Sequence, residues 1–338
     1  MENILVIRFS SLGDVVMASA IVEALCIKFP GSSLTVLTKT AYAPVFEGDT
    51  RIERVVSVTG GETPFQIVRM LESHYDAVFD LHGVLRSRIV VGLLKSPLKR
   101  MVRKHSLSRR LMVCSRNLYR RKFDALGSYF ETLRPLGIDS RILPRLRPNE
   151  KAIEAAERLL SEIGSSQGRM IGLAPGSKHP MKRWPEAYWA ILADTLLQRG
   201  DTPVFIGDGS DKECIDTIYS KMSGKAPSLV GSGLALTIGV IGRLDGMVTN
   251  DSGPMHIAGA LGRPFAAIFG PTHPDLGFVP GYPNGAILHS GLPCSPCSVH
   301  GQTPCRMKER KCMEAVSADM VLRELDSVMT AHTGNDHA

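Results

Sequence analysis

Short, wholly apolar runs alternate along the chain with longer segments whose apolar residues recur every three or four positions. This is the pattern of buried parallel strands joined by helices. In the first half it predicts strands at Ile4–Ile7, Leu34–Leu37, Arg54–Val58 and Ala77–Leu81, with helices over about Val15–Lys28, Phe65–Ser73 and Val84–Leu94. Pro30 and Gly31 stop the first helix, because proline lacks the N–H a continuing helix needs. The stretch Ile142–Pro148 carries two prolines and no periodicity, and reads as an interdomain connection. An amphipathic helix, Glu150–Ile163, then opens a second series. It predicts strands at Met170–Ala174, Pro203–Ile206 and Ser228–Val230, and helices at Pro185–Gln198, Asp211–Met222 and Ala235–Leu244. The series closes in Gly246–Gly270, where a buried strand through Met247 and Val248 meets a polar turn, a helix opened by Pro254 and a second buried strand. The expected architecture is α/β, with two doubly wound parallel-sheet domains at 1–148 and 149–338 facing across a cleft.

Ligands of such sheets bind outside the carboxyl ends of the strands, where a helix amino terminus offers N–H groups and partial positive charge to a phosphate. Three turns of the second half fall on that rim. One is Asn250, Asp251, Ser252, Gly253, Pro254, with Met255 and His256 in the first helical turn. Another holds Gly176, which lets backbone approach a ligand, Ser177 with its hydroxyl, and Lys182, a point charge suited to a diphosphate. The third, Gly207 to Asp211, offers a carboxylate to ribose hydroxyls. Any one alone is ordinary turn or capping chemistry; three on one rim favour a nucleotide site. In the first half, Arg8 to Asp14 forms a Gly-containing turn between strand and helix that is neither GxGxxG nor a Walker A loop. Asp14 there suits either a helix cap or a general base.

The 338 residues are 43% hydrophobic and 22% charged, an ordinary globular balance with length enough for two cores. No apolar run approaches the roughly 20 residues of a membrane span, and the start lacks the features of a signal peptide, so a cytoplasmic protein is expected. The net charge of +7 favours anionic partners. Between Lys95 and Lys122 there is no Asp or Glu, while Lys99, Arg100, Arg103, Lys104, Arg109, Arg110, Arg116, Arg120 and Arg121 interleave with Leu107, Leu111, Met112, Val113, Leu118 and Tyr119. A one-signed amphipathic stretch of this kind fits a helix or loop lying on anionic headgroups. No nucleic-acid module is present, and no nucleic-acid partner is expected.

Of the seven cysteines, Cys26, Cys114 and Cys214 read as ordinary reduced thiols. Cys294, Cys297, Cys305 and Cys312 crowd one segment, 291–313. In a reducing compartment that spacing suggests a structural Zn or Fe before it suggests disulfides, against the alternative that the thiols merely pack in a loop-rich stretch.

In combination, SSLGD near the amino terminus with PGS, KRWP and NDSGPMHIAGALGRP resembles the ADP-heptose lipopolysaccharide heptosyltransferases, glycosyltransferase family 9, over Ile4 to about Leu325. The resemblance implies a GT-B fold of two Rossmann-like domains, acceptor on the first and nucleotide sugar on the second. It implies inverting transfer of heptose from ADP-L-glycero-D-manno-heptose to a phosphorylated lipid A-core acceptor at the inner-membrane face, without a catalytic metal. By position, it makes Asp14 the general base, with Ser10, Ser11, Gly13, Arg86 and Arg88 on the acceptor side. Arg86 stands where the family commonly has lysine. Lys182 and Asp251 would act at the donor diphosphate, with Gly176, Ser177, Asp211, Ser252, Gly253, Pro254, Met255 and His256 around it. Ser232, Gly233 and Leu234 fall where the adenine is contacted. Related autotransporter heptosyltransferases supply the precedent for four cysteines on iron. Three other readings stay open: a family 9 transferase with another donor sugar or acceptor, a GT-B nucleotide-sugar epimerase, which would need no acceptor, and a non-catalytic ADP-sugar binder docking to membranes.

Overall fold

The computed structural model describes residues 1–115, 121–164 and 168–335. It forms two compact units, residues 1–105 with 124–150, and residues 106–123 with 151–338.

The first unit is built on strands β1 (Asn3–Ile7), β2 (Ser33–Lys39), β3 (Arg54–Val58), β4 (Ala77–Asp80) and β5 (Leu98–Met101), all parallel in the order β3-β2-β1-β4-β5. Its helices are α1 (Leu12–Lys28), α2 (Pro64–Arg69) and α3 (Leu85–Leu93), joined by α5 (Ala125–Phe130) after the excursion of α4 (Ser106–Cys114) into the second unit. The chain winds outward from β1 to β3 and returns to β4 on the other side of β1. That reversal opens a crevice where β1 and β4, paired at Ile7 and Asp80, reach their carboxyl ends.

In the second unit, α6 (Glu150–Ile163) leads to β6 (Met170–Ala174), α7 (Glu186–Gln198), β7 (Thr202–Phe205), α8 (Lys212–Tyr219), α9 (Leu234–Ile241), β8 (Gly246–Asn250), α10 (Gly253–Ala260), β9 (Phe265–Phe269), β10 (Gly285–His289), α11 (Lys311–Glu314) and α12 (Ala318–Asn335). The sheet order is β10-β9-β8-β6-β7, again all parallel. Here the reversal lies between β6 and β8, paired at Ala174 and Thr249. Every residue of β8 and β9 is buried, as continuous apolar runs covered on both faces require. Trp184 and Trp189, both fully buried and packed edge to face with centroids 5.2 Å apart, anchor α7 in this core.

The structure departs from the periodicity in several places. β5 and β10 are strands the pattern does not announce; β5 reads LKRM, and an edge strand tolerates such charges because only one of its sides is paired. Ser228–Val230 makes a single bridge, Ser228 with Phe205, rather than a strand. α8 ends at Tyr219 instead of continuing to Met222.

The basic stretch is the larger departure. β5 takes Lys99 and Arg100, and α4 packs into the second unit through Met112 and a buried arginine. Arg109 Nε donates to the Leu276 carbonyl at 2.8 Å, and its guanidinium lies over the rings of Phe123 at 5.1 Å and Phe278 at 4.7 Å. Arg109 is therefore not available to a lipid surface. Arg116, Leu118, Tyr119 and Arg120 lie outside the described residues. The proline-bounded stretch ahead of α6 is held to the first unit, where Arg147 pairs with Glu23 at 2.8 Å and Asp49 at 3.2 Å.

Candidate active site

The turns after β6 and β8 meet at the switch point of the second sheet. Asn250, the last residue of β8, donates from Nδ2 to the Pro175 carbonyl at 2.7 Å and accepts the Trp184 N–H at 3.1 Å, tying the two turns together. Lys182 Nζ lies 2.6 Å from Asp251 Oδ2, and Thr272 donates its hydroxyl to the same oxygen at 2.7 Å. Both side chains of the ion pair are largely shielded, which strengthens their attraction over that of a surface pair. The ammonium is thus positioned, and a diphosphate arriving there would find a directed positive charge.

Around this pair the expected donor residues are distributed unequally. Ser252, Gly253 and Pro254 open α10 at the rim, partly exposed. Met255 and His256 turn inward: Met255 is fully buried, and His256, 5% exposed, packs edge-on toward the Tyr282 ring. What this turn presents to a phosphate is therefore backbone N–H, not the imidazole. Gly176 does need to be glycine, since a methyl group there would fall 2.2 Å from the Asp211 carboxyl carbon. Asp211 itself is buried, accepts the Asp208 N–H at 3.1 Å, and stands 3.7 Å from Arg183. Burial first, then the charge of Asp208, raises its pKa. It braces the turn, while Asp208 is the exposed carboxylate there. Ser177 is buried and its carbonyl accepts from Arg183 Nε at 3.0 Å. Ser232, Gly233 and Leu234 lie on the exposed rim at the start of α9, Gly233 with a φ of +83°.

In the first unit, Asp14 sits in the first turn of α1 and is both cap and charged group. Its Oδ2 accepts from the Ser11 N–H at 3.1 Å and the Ser11 hydroxyl at 2.7 Å, and pairs with Arg8 Nη2 at 2.6 Å. Its Oδ1 accepts from the Tyr129 hydroxyl at 3.2 Å. Arg8 is buried and also donates to the Leu81 carbonyl. Burial opposes the arginine's charge, but Tyr129 and the Asp14 and Asp80 carboxylates outweigh it and raise the guanidinium pKa. Beside it Asp80, wholly buried, accepts the N–H groups of His82 and Gly83 and the Ser87 hydroxyl. Burial, then the nearby Arg8 cation, depresses His82 to about 4, so this imidazole is neutral at physiological pH. Arg8, Asp80, His82 and Tyr129 were not singled out by sequence. A lone carboxylate ending an apolar strand is a signal that points to Asp80; nothing local points to Tyr129.

Of the expected acceptor-side residues, Ser11 and Gly13 belong to the Asp14 turn and Ser10 lies partly exposed beside them. Arg86 is engaged elsewhere, donating to the carbonyls of Gly60 and Glu62 and lying over the Phe9 ring at 5.5 Å. Arg88 is exposed.

The cysteines of the 291–313 segment carry free thiols. Burial, then the neighbouring Cys297, Cys294 and Cys305, pushes the Cys312 thiol up to about 11. Thiolates are soft donors of the kind that Zn or Fe accepts. Yet among the described residues no three His, Cys, Asp or Glu side chains are drawn close enough to hold a metal ion.

The sequence pattern of Glycosyltransferase family 9 (heptosyltransferase) matches residues 65–308. Lipopolysaccharide heptosyltransferase 2 of Salmonella typhimurium is 26% identical over 297 residues, covering 81% of this chain and 84% of that protein. Among solved structures, a family 9 glycosyltransferase from Veillonella parvula superposes with a TM-score of 0.81 at 23% identity, covering 98% of each chain. An E. coli heptosyltransferase solved with ADP superposes with a TM-score of 0.69 at 19% identity, over 96% of this chain and 99% of that one. The fold shared with these structures is the GT-B fold of two Rossmann-like domains.

Proposed function

Because the chain belongs to glycosyltransferase family 9 and is a glycosyltransferase, we propose that it moves heptose from ADP-L-glycero-D-manno-heptose to a phosphorylated lipid A-core acceptor, inverting the anomeric centre. The observation that carries the donor half is the Lys182–Asp251 pair at the carboxyl ends of β6 and β8. ADP is the ligand named for the E. coli structure, and lipopolysaccharide figures in the name of the Salmonella relative.

In this reading the Asp14 carboxylate takes the proton of the acceptor hydroxyl as its oxygen attacks the anomeric carbon and the bond to ADP breaks. Arg8 pairs with the carboxylate, and the Ser11 and Tyr129 hydroxyls donate to it. Negative charge grows on the departing diphosphate, and Lys182 with the N–H groups opening α10 would stabilise it. These groups supply the positive charge the step requires, so the proposal includes no catalytic metal. A structural Zn or Fe on Cys294, Cys297, Cys305 and Cys312 is proposed on donor chemistry and sequence spacing alone.

Among the described residues no helix is long and apolar enough to cross a membrane. We place the lipid-borne acceptor at a cytoplasmic membrane face instead, met by the exposed Leu107, Arg110 and Leu111 of α4.

The test is calorimetric titration with ADP, GDP and UDP. Selective ADP binding, followed by heptose transfer that depends on added acceptor, is expected. Preference for UDP or GDP would discard the donor assignment, and donor turnover without acceptor would replace transfer by epimerisation.

A further inference from the structure

The segment that carries the four cysteines touches both sides of the donor-site ion pair. On the lysine side, Arg310 Nη1 donates to the Pro180 carbonyl at 3.1 Å and to the Arg183 carbonyl at 2.7 Å. Those carbonyls bracket the single 3₁₀ turn, Pro180–Lys182, from which Lys182 projects. Gly301, with a φ of +82°, lies against the lysine stem; a methyl group there would fall 2.4 Å from Lys182 Cγ. On the aspartate side, the N–H groups of Cys297 and Ser298 donate to the Pro271 carbonyl at 3.0 and 3.1 Å. Ser295 donates its hydroxyl to the Gly270 carbonyl at 2.6 Å. The next residue in that strand-end loop is Thr272, whose hydroxyl holds Asp251.

We infer that residues 295–310 are the frame that sets Lys182 against Asp251, and that Arg310 is a positioning residue for the donor diphosphate. The inference rests on the donor-site reading above. A lysine side chain loses rotamer entropy when it is fixed. Fixing its turn and its stem beforehand removes that cost from ligand binding, which is how preorganisation gains affinity. The planar guanidinium suits the task because one nitrogen group can serve two carbonyls while the rest of the fork keeps its orientation.

The test compares Arg310→Ala and Arg310→Lys in the full chain. Two readouts are needed: ADP affinity with donor and acceptor KM, and the NMR signal of ¹³C-methylated Lys182, identified by its absence in Lys182→Ala. Arg310→Ala should weaken ADP and raise donor KM about tenfold, as losing charge-assisted hydrogen bonds implies. Acceptor KM should stay unchanged, and the Lys182 signal should move toward those of exposed lysines, with Arg310→Lys between. Gly301→Ala, which crowds the stem without touching Arg310, should move the same signal, and serves if Arg310→Ala fails to fold. An unchanged Lys182 signal in the variants that fold overturns the inference. A shifted signal in a protein whose wild type binds no ADP leaves the frame standing and discards the donor reading.

Discussion

Tyr129 and Asp14 are 115 positions apart, yet the tyrosine hydroxyl donates to Asp14 Oδ1 at 3.2 Å while Arg8 holds the other oxygen. The carboxylate is thereby oriented by groups from β1's exit and from α5. Asp14→Asn should lower the transfer rate at least about a hundredfold, the usual scale for a lost general base, with ADP affinity intact. Tyr129→Phe should cost only about three- to tenfold, one ordinary hydrogen bond. Loss of ADP binding in Asp14→Asn would assign that residue to the donor site or to folding.

At the donor site, Lys182→Ala removes one charge-assisted partner of a diphosphate, worth roughly ten- to a hundredfold in ADP affinity. It also leaves the Asp251 carboxylate shielded from solvent without its cation, Thr272 still donating to Oδ2, so some loss of thermal stability should accompany it. Titration and melting of the same sample separate the two effects.

The first unit should show a distinct acid sensitivity. Burial acts against ionised Glu23, but Arg147 and Arg51 outweigh it and hold its pKa at about 2, below the usual 4.5. The folded state therefore binds its proton less readily than the unfolded chain. The resulting stability, on the order of 3 kcal/mol, is complete above pH 4.5 and disappears as pH falls toward 2. Glu23→Gln should lower denaturant stability at pH 7 and flatten its decline between those values. A decline identical to that of the wild type would refute the assignment.

Membrane contact is testable on two apolar side chains that α4 leaves largely in solvent. Leu107 is 81% exposed and Leu111 53%, one helical turn apart on α4. Changing both to Glu should abolish cosedimentation with vesicles rich in phosphatidylglycerol while ADP binding persists. Unaltered cosedimentation would move the contact away from α4.

Metal content decides the cysteine segment. The proposed structural site requires about one equivalent of Zn or Fe per purified chain, lost in Cys297→Ser. Well under one equivalent excludes it.

The alternation of strands and helices, the two-sheet architecture and the rim turns were legible in the sequence, because periodicity reports burial and glycine, proline and small polar residues report turns. Asp14, Lys182 and Asp251 could be proposed because each sits where a strand hands over to a helix. β5 was hidden, since an edge strand with lysine and arginine at its centre has no apolar signature. So was the burial of Arg109: a guanidinium capped by a carbonyl and sandwiched by two phenylalanines looks, in one dimension, like any surface charge. Likewise the burial of His256 beside Tyr282 and of Asp211 against Gly176 is invisible in one dimension. What tertiary structure alone decided are the pairings: Tyr129 with Asp14, Lys182 with Asp251, and Arg310 with the carbonyls around Lys182. Local sequence specifies backbone conformation within a few residues, whereas a side chain's partner depends on which distant segment the folded core brings within hydrogen-bonding reach.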